Sequence, residues 1–194
     1  MSDLALVLDE VLTAAGPRQG RCDRLAGTPV PSTLVPVAAI VGTVARPGQF
    51  DRRFRPLTRR ANRHAEHIAA VQAAGVALPP VRLVRVGGLY FVEDGHHRVA
   101  AAVAAGRPTV AAAIRPVCTV AAVPSGLRRT DLARIEAERE FLRAVPLPDD
   151  ATVQLSRIPR VDHIELARRA RRWCGGRVTP AGAADWWAAE MQAG

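Results

Sequence analysis

An apolar run, Leu89-Tyr90-Phe91-Val92, breaks off at Glu93-Asp94-Gly95, and His96-His97-Arg98 then opens the alanine-rich stretch Val99-Ala100-Ala101-Ala102. Few chain geometries accommodate that order. Aromatic and β-branched side chains favour a strand, glycine permits a sharp turn, and alanine favours a helix. A strand that turns through glycine into a helix aims its first free N–H groups at one point, where the helix dipole also favours negative charge. Arg98 and the two imidazoles add donors suited to phosphate oxygens. The pattern predicts a phosphate-binding turn made of Gly95, His96, His97 and Arg98, with Asp94 immediately before it.

The surrounding chain supplies a sheet for that turn. Leu78-Pro79-Pro80 leads into an expected strand, Val81–Val86. Gly87-Gly88 reads as a two-residue hairpin turn, because both positions tolerate positive φ. The return strand is Leu89–Val92, and the helix after the histidines runs to about Ala105, closed by Gly106-Arg107-Pro108. A further strand over Thr109–Val117 follows by helical crossover, so a parallel or mixed sheet covered by helices is expected.

Upstream, residues 2–15 have helical spacing, with Ser2 as a cap and Leu4, Val7, Leu8, Val11 and Leu12 on one face. Residues 16–33 read as a linker, and Leu34–Val41 as a short strand bounded by Gly42. Residues 43–57 form a polar loop, followed by a helix from Thr58 to Ala74 with Ile68 and Val71 inward. Beyond Gly126 the pattern is helical: Thr130–Ala144, residues 162–174 with Ile164 and Leu166, and a last helix carrying Trp186-Trp187. The three tryptophans, Trp173 included, are read as the core of these helices.

With 194 residues and 48% hydrophobic content the chain can bury a real core. No apolar run approaches a membrane span, and Met1-Ser2-Asp3 lacks the basic start of a signal peptide, so a cytoplasmic protein without a membrane partner is expected. The net charge of +9 invites a nucleic-acid partner. All 27 basic residues are arginine, however, and they are scattered, which fits solvated helix faces as well as a DNA surface. Four phenylalanines and one tyrosine are too few for a single-strand stacking platform. The three cysteines form no C-x-x-C, so no zinc cluster is indicated.

The unit from Pro79-Pro80 through the hairpin, Asp94-Gly95-His96-His97-Arg98 and the strand after it resembles the ParB/sulfiredoxin superfamily. In that superfamily a glycine, two polar residues and an arginine open a helix beneath a nucleotide's phosphates. The resemblance implies an α+β fold with a small mixed sheet over residues 34–117, preceded by an N-terminal helix and linker (1–33) and followed by a helical extension (118–194). Its members include CTP-binding partitioning proteins, sulfiredoxins and free-serine kinases. Sulfiredoxins place a catalytic cysteine where His96 stands, so sulfinic-acid reduction is not expected. Residues 118–194 show no helix-turn-helix of the partitioning type. The kinases carry a glutamate base just after the first strand, and Ile40-Val41-Gly42-Thr43-Val44 has none. Gln49-Phe50-Asp51-Arg52-Arg53-Phe54-Arg55-Pro56 and Ala184-Asp185-Trp186-Trp187 also match uncharacterised actinobacterial-type ParB-like proteins.

The resemblance and the residues together imply a nucleotide ligand (CTP, ATP or ADP) with Mg²⁺, and hydrolysis or phosphoryl transfer as the reaction if there is one. Gly95 and the following amides would cradle phosphates, Arg98 would neutralise their charge, and His96 or His97 would contact them. Asp94 or Asp51 would sit on the magnesium or act as base, Asp94 otherwise orienting His97 or capping the helix, and a histidine, His97, would position the attacking oxygen. Arg46, Asp51 and Arg55 sit in the loop expected to overhang the turn. His64 and His67, with Glu66 beside them, share a helix face that could hold a metal, although no third ligand is evident. A small-molecule kinase and a DNA-associated regulator are the alternatives, and a homodimer is an open candidate.

Overall fold

The computed structural model describes residues 4–18, 32–158 and 161–192. In chain order these form β1 (Leu6–Val7), α1 (Leu8–Ala15), β2 (Pro17–Arg18), β3 (Thr33–Pro36), β4 (Ile40–Thr43), α2 (Arg59–Ala73), β5 (Val81–Val86), β6 (Leu89–Asp94), α3 (His96–Ala104), β7 (Thr109–Thr119), α4 (Leu132–Ala144), α5 (Asp149–Arg157), α6 (His163–Trp173) and α7 (Pro180–Gln192). The strands make one mixed sheet in the order β1-β4-β6-β5-β7-β2, with β3 also paired to β7. The hairpin β5–β6 is antiparallel, whereas β4 runs parallel to β6 and β5 parallel to β7. This is an α+β fold with helices on both faces of the sheet.

Period-two alternation along β5 assigns the faces. Val81 and Leu83 point toward α2, α3, Phe50 and Phe54, while Val84 and Val86 point toward α1 and the C-terminal helices. Residues before position 18 and after position 118 therefore share one apolar core, joined through the sheet. Trp186 and Trp187 lie in that core.

Several local expectations are corrected. Gly42 lies inside β4 rather than ending it, because a Cβ there would sit 2.5 Å from the Leu6 carbonyl oxygen and from the Phe91 ring. The expected strand Leu34–Val41 is split into β3 and β4 by a 3₁₀ turn at Val37–Ala39. The first helix starts at Leu8, after residues that join the sheet edge, and Ser2 lies outside the described residues, as do residues 19–31 of the expected linker. In α2 the deeply buried positions are Ala61 and Ala65, whose small side chains let the helix approach α3 closely; Ile68 and Val71 are only half-buried. Trp173 and Ile164 are exposed at 53% and 68%, outside the core assigned to them. Helix α5 was not expected, although Pro148 before it and Asp149 and Asp150 in its first turn are ordinary start signals.

Candidate anion site at the start of helix α3

β6 ends at Asp94, and Gly95 turns the chain at φ +92°, in the left-handed region that favours glycine. A Cβ at this position would stand 2.7 Å from Val81 Cγ1 and 3.0 Å from Arg98 Cζ. Two constraints, conformation and space, thus require glycine. No side chain caps α3. The N–H groups of its first turn have no partner within the helix and face out of its end.

His96 is buried, at 4% exposure, and its Nε2 lies 2.7 Å from Thr43 Oγ1 at the end of β4. The Thr43 oxygen already accepts from the backbone N–H groups of Arg46 at 3.0 Å and Ala45 at 3.3 Å. Its hydroxyl proton is then directed to Nε2, which makes His96 a neutral imidazole protonated on Nδ1. Burial, followed by the positive Arg46 and by His97, lowers its pKa from 6.5 to about 4, and Asp94 opposes this weakly. His96 therefore ties the loop after β4 to the turn, with Phe50 and Phe54 packed against its ring. It is a structural anchor, and its ring is committed to Thr43.

His97 faces the other way. Its ring centroid is 4.9 Å from that of His64 on α2 and meets the edge of Phe50 at 5.8 Å. Its Nδ1 is buried without a hydrogen-bond partner. Burial lowers its pKa first, then the neighbouring His64 and Arg46, with Arg60 adding to them; only the Ala61 backbone works in the opposite direction. His64, Arg46 and Arg60 are exposed, and neither arginine makes an ion pair among the described residues. Four groups that are or can become positive thus converge beside an uncapped helix start.

The other expected site residues lie nearby but are committed elsewhere. Arg98 folds back from α3: one terminal nitrogen donates to the carbonyls of Pro79 and Pro80, the latter at 3.0 Å, and the other meets Asp94 Oδ2 at 2.8 Å. A cation at this helix end is stabilised by a carboxylate four residues before it and by two carbonyls of the lead into β5, of which only the carbonyls lie beyond what spacing reveals. Asp94 accordingly neither caps α3 nor stands free for a metal. Asp51, 7% exposed, turns its carboxylate into its own loop, where Oδ1 accepts from the Arg53 and Arg55 backbones and Oδ2 pairs with Arg55 Nε at 2.7 Å. His67 is exposed, and Glu66 accepts from Asn62. No group of three His, Cys, Asp or Glu side chains that could hold a metal is gathered among the described residues.

Thr43, Arg60 and the pairing of His64 with His97 were missed. From the sequence His64 reads only as a candidate metal ligand, and Thr43 only as part of a stretch lacking a base. The one available signal was a threonine directly after a glycine at the end of a strand.

The fold and the turn define an α+β protein with an unpartnered, positively charged helix start. No known family pattern matches the chain, and no curated protein matches it. Among solved structures, part of the chain is similar to sulfiredoxin from Arabidopsis thaliana, at 23% identity and a TM-score of 0.30, over 44% of this chain and 85% of that one. So loose a likeness adds nothing to the chemistry of the turn. No helix among the described residues is long and apolar enough to cross a membrane.

Proposed function

We propose that the start of α3 binds the phosphate of a small ligand, and that this ligand is a nucleotide. The observation that carries the reading is the buried, unpartnered Nδ1 of His97, set among His64, Arg46 and Arg60 beside free helix N–H groups. After burial, the charge of these neighbours disfavours protonation of His97, and an anion among them would offset it. The amides of Gly95 to Arg98 would hold phosphate oxygens, with His97, His64 and Arg46 as side-chain donors. Arg98 would act indirectly, by fixing the turn to the β5 lead. Asp94 does not fit a magnesium ligand while paired with Arg98, so no step runs through a metal.

The alternatives have less support. A small-molecule kinase needs a carboxylate free above the turn, and Asp51 and Asp94 are both engaged. A DNA-binding face on α6 needs several unmatched arginines, yet Arg168, Arg169 and Arg172 each meet Glu165 or Glu190, which leaves Arg171 alone of that cluster without an ion pair among the described residues.

The test is a thermal-shift series with CTP, ATP, ADP, GTP and inorganic phosphate. A ligand present at 100 times its Kd stabilises by about 2.7 kcal/mol, or roughly 5–10 °C for a chain of this size. We expect such a rise with at least one nucleotide, and its loss in Arg46→Ala and His97→Ala. No rise with any of the five, or a rise that both variants keep, overturns the reading.

A further inference from the structure

About half of the described arginines meet acid. Arg18 pairs with Asp149, Arg82 and Arg115 share Glu93, Arg129 meets Glu10, and Arg139 lies between Glu136 and Glu140. One cleft gathers four arginines around a single carboxylate. It has a volume of about 960 Å³ and lies between the loop at residues 51–55, the 3₁₀ turn at Val37–Ala39 and the chain just after α3. Arg52, Arg53, Arg55 and Arg107 line it with a single carboxylate, Asp51, which is consumed by Arg55 and two backbone N–H groups. Arg53 and Arg107 make no ion pair among the described residues.

The loop that presents these arginines is held rigidly. Phe54 adopts φ +61°, uncommon for a residue other than glycine, and its buried ring stacks on Phe50 at 5.0 Å. Asp51 fixes the same turn through its hydrogen bonds. Strained backbone held by its surroundings is characteristic of binding sites. Arg52 carries a second unresolved feature: one terminal nitrogen donates to the Leu127 carbonyl, while Nη1 is buried with no acceptor. A charged donor left in that state is costly, and an oxyanion in the cleft would satisfy it. Val37, Ala38, Ile40 and Val41 add an apolar wall.

We infer that this cleft is a second binding site, separate from the α3 start, for a doubly charged organic oxyanion: a phosphate ester or a dicarboxylate on an apolar body. Two negative charges answer the excess of guanidinium groups, and the aliphatic wall receives the body. The site uses neither the α3 amides nor His97, so it stands or falls independently of the nucleotide reading.

The experiment is isothermal titration of the full chain with phenyl phosphate and with benzene-1,3-dicarboxylate, in wild type and in the His97→Ala background. We expect saturable binding of at least one compound in both, the tighter one identifying the headgroup. The Arg53→Ala/Arg107→Ala double variant, whose changes lie at the cleft surface, should weaken it by about tenfold or more, the scale of one lost charge-assisted hydrogen bond. Arg52→Gln should do the same if it folds. Absence of saturable binding, binding that the double variant retains in full, or binding that His97→Ala abolishes would overturn the inference.

Discussion

Replacing Thr43 with valine keeps the shape of a fully buried side chain and removes one oxygen. In the native protein that oxygen accepts two backbone N–H groups and donates to His96 Nε2 at 2.7 Å. The His96 acceptor would be left buried and unsatisfied, at a cost of about 1–3 kcal/mol. The Ala45 and Arg46 amides lie in an exposed stretch and can turn to water, so their loss adds about 1 kcal/mol together. The sum, about 2–4 kcal/mol, corresponds to a fall in Tm of roughly 4–16 °C for 150–250 residues. Urea denaturation followed by the fluorescence of buried Trp186 and Trp187 measures it. Because the bond to Arg46 N also positions that arginine beside His97, Thr43→Val should weaken phosphate-ligand binding even at temperatures where the protein is folded. A variant within about 0.5 kcal/mol of wild type, the range of an ordinary surface change, would refute the clamp. So would full retention of ligand affinity.

Further expectations rest on other groups. His96 has a folded pKa of about 4 against 6.5 unfolded, so its neutral form contributes stability that is present above pH 6.5 and lost as pH falls toward 4. The loss approaches ~3 kcal/mol, and His96→Gln should flatten that part of a pH–stability curve measured by urea midpoint. Glu138 is buried and its carboxyl pKa is raised, chiefly by burial, against the Ala122 N–H and Arg134. Its charge therefore costs stability as pH rises above the ordinary glutamate range. Glu138→Gln should raise Tm at pH 8, with the advantage shrinking on acidification. Gly95→Ala meets both a positive φ and a 2.7 Å contact with Val81, and should cost about 2 kcal/mol or more in a denaturation titration.

What the sequence made legible was local. The hairpin at Gly87-Gly88, the strand–glycine–helix turn at residues 89–104 and the amphipathic helix ending at Ala144 follow from neighbouring residues, and the α+β class follows from them. What escaped was set by partners far along the chain. Thr43 and His96 are 53 positions apart, and the carbonyls that capture Arg98 lie 18 and 19 residues before it. A cation at a helix start calls for compensation, and here Asp94 and the proline carbonyls supply it. Gly42 reads from the sequence as a strand terminator, and only the neighbouring Leu6 carbonyl and Phe91 ring explain it as a strand interior. Ile164 and Trp173 show the limit of periodicity, which locates a helix but does not say whether anything covers its apolar face.

The central claim is that the first amides of α3 and the groups around His97 receive phosphate. Backbone amide NMR during titration with the best nucleotide from the thermal series tests it directly. The expected outcome is that the largest saturable shifts fall on Gly95, His96, His97 and Arg46, with His97 side-chain resonances moving in step. Saturable binding whose shifts lie elsewhere and leave those amides still would contradict it.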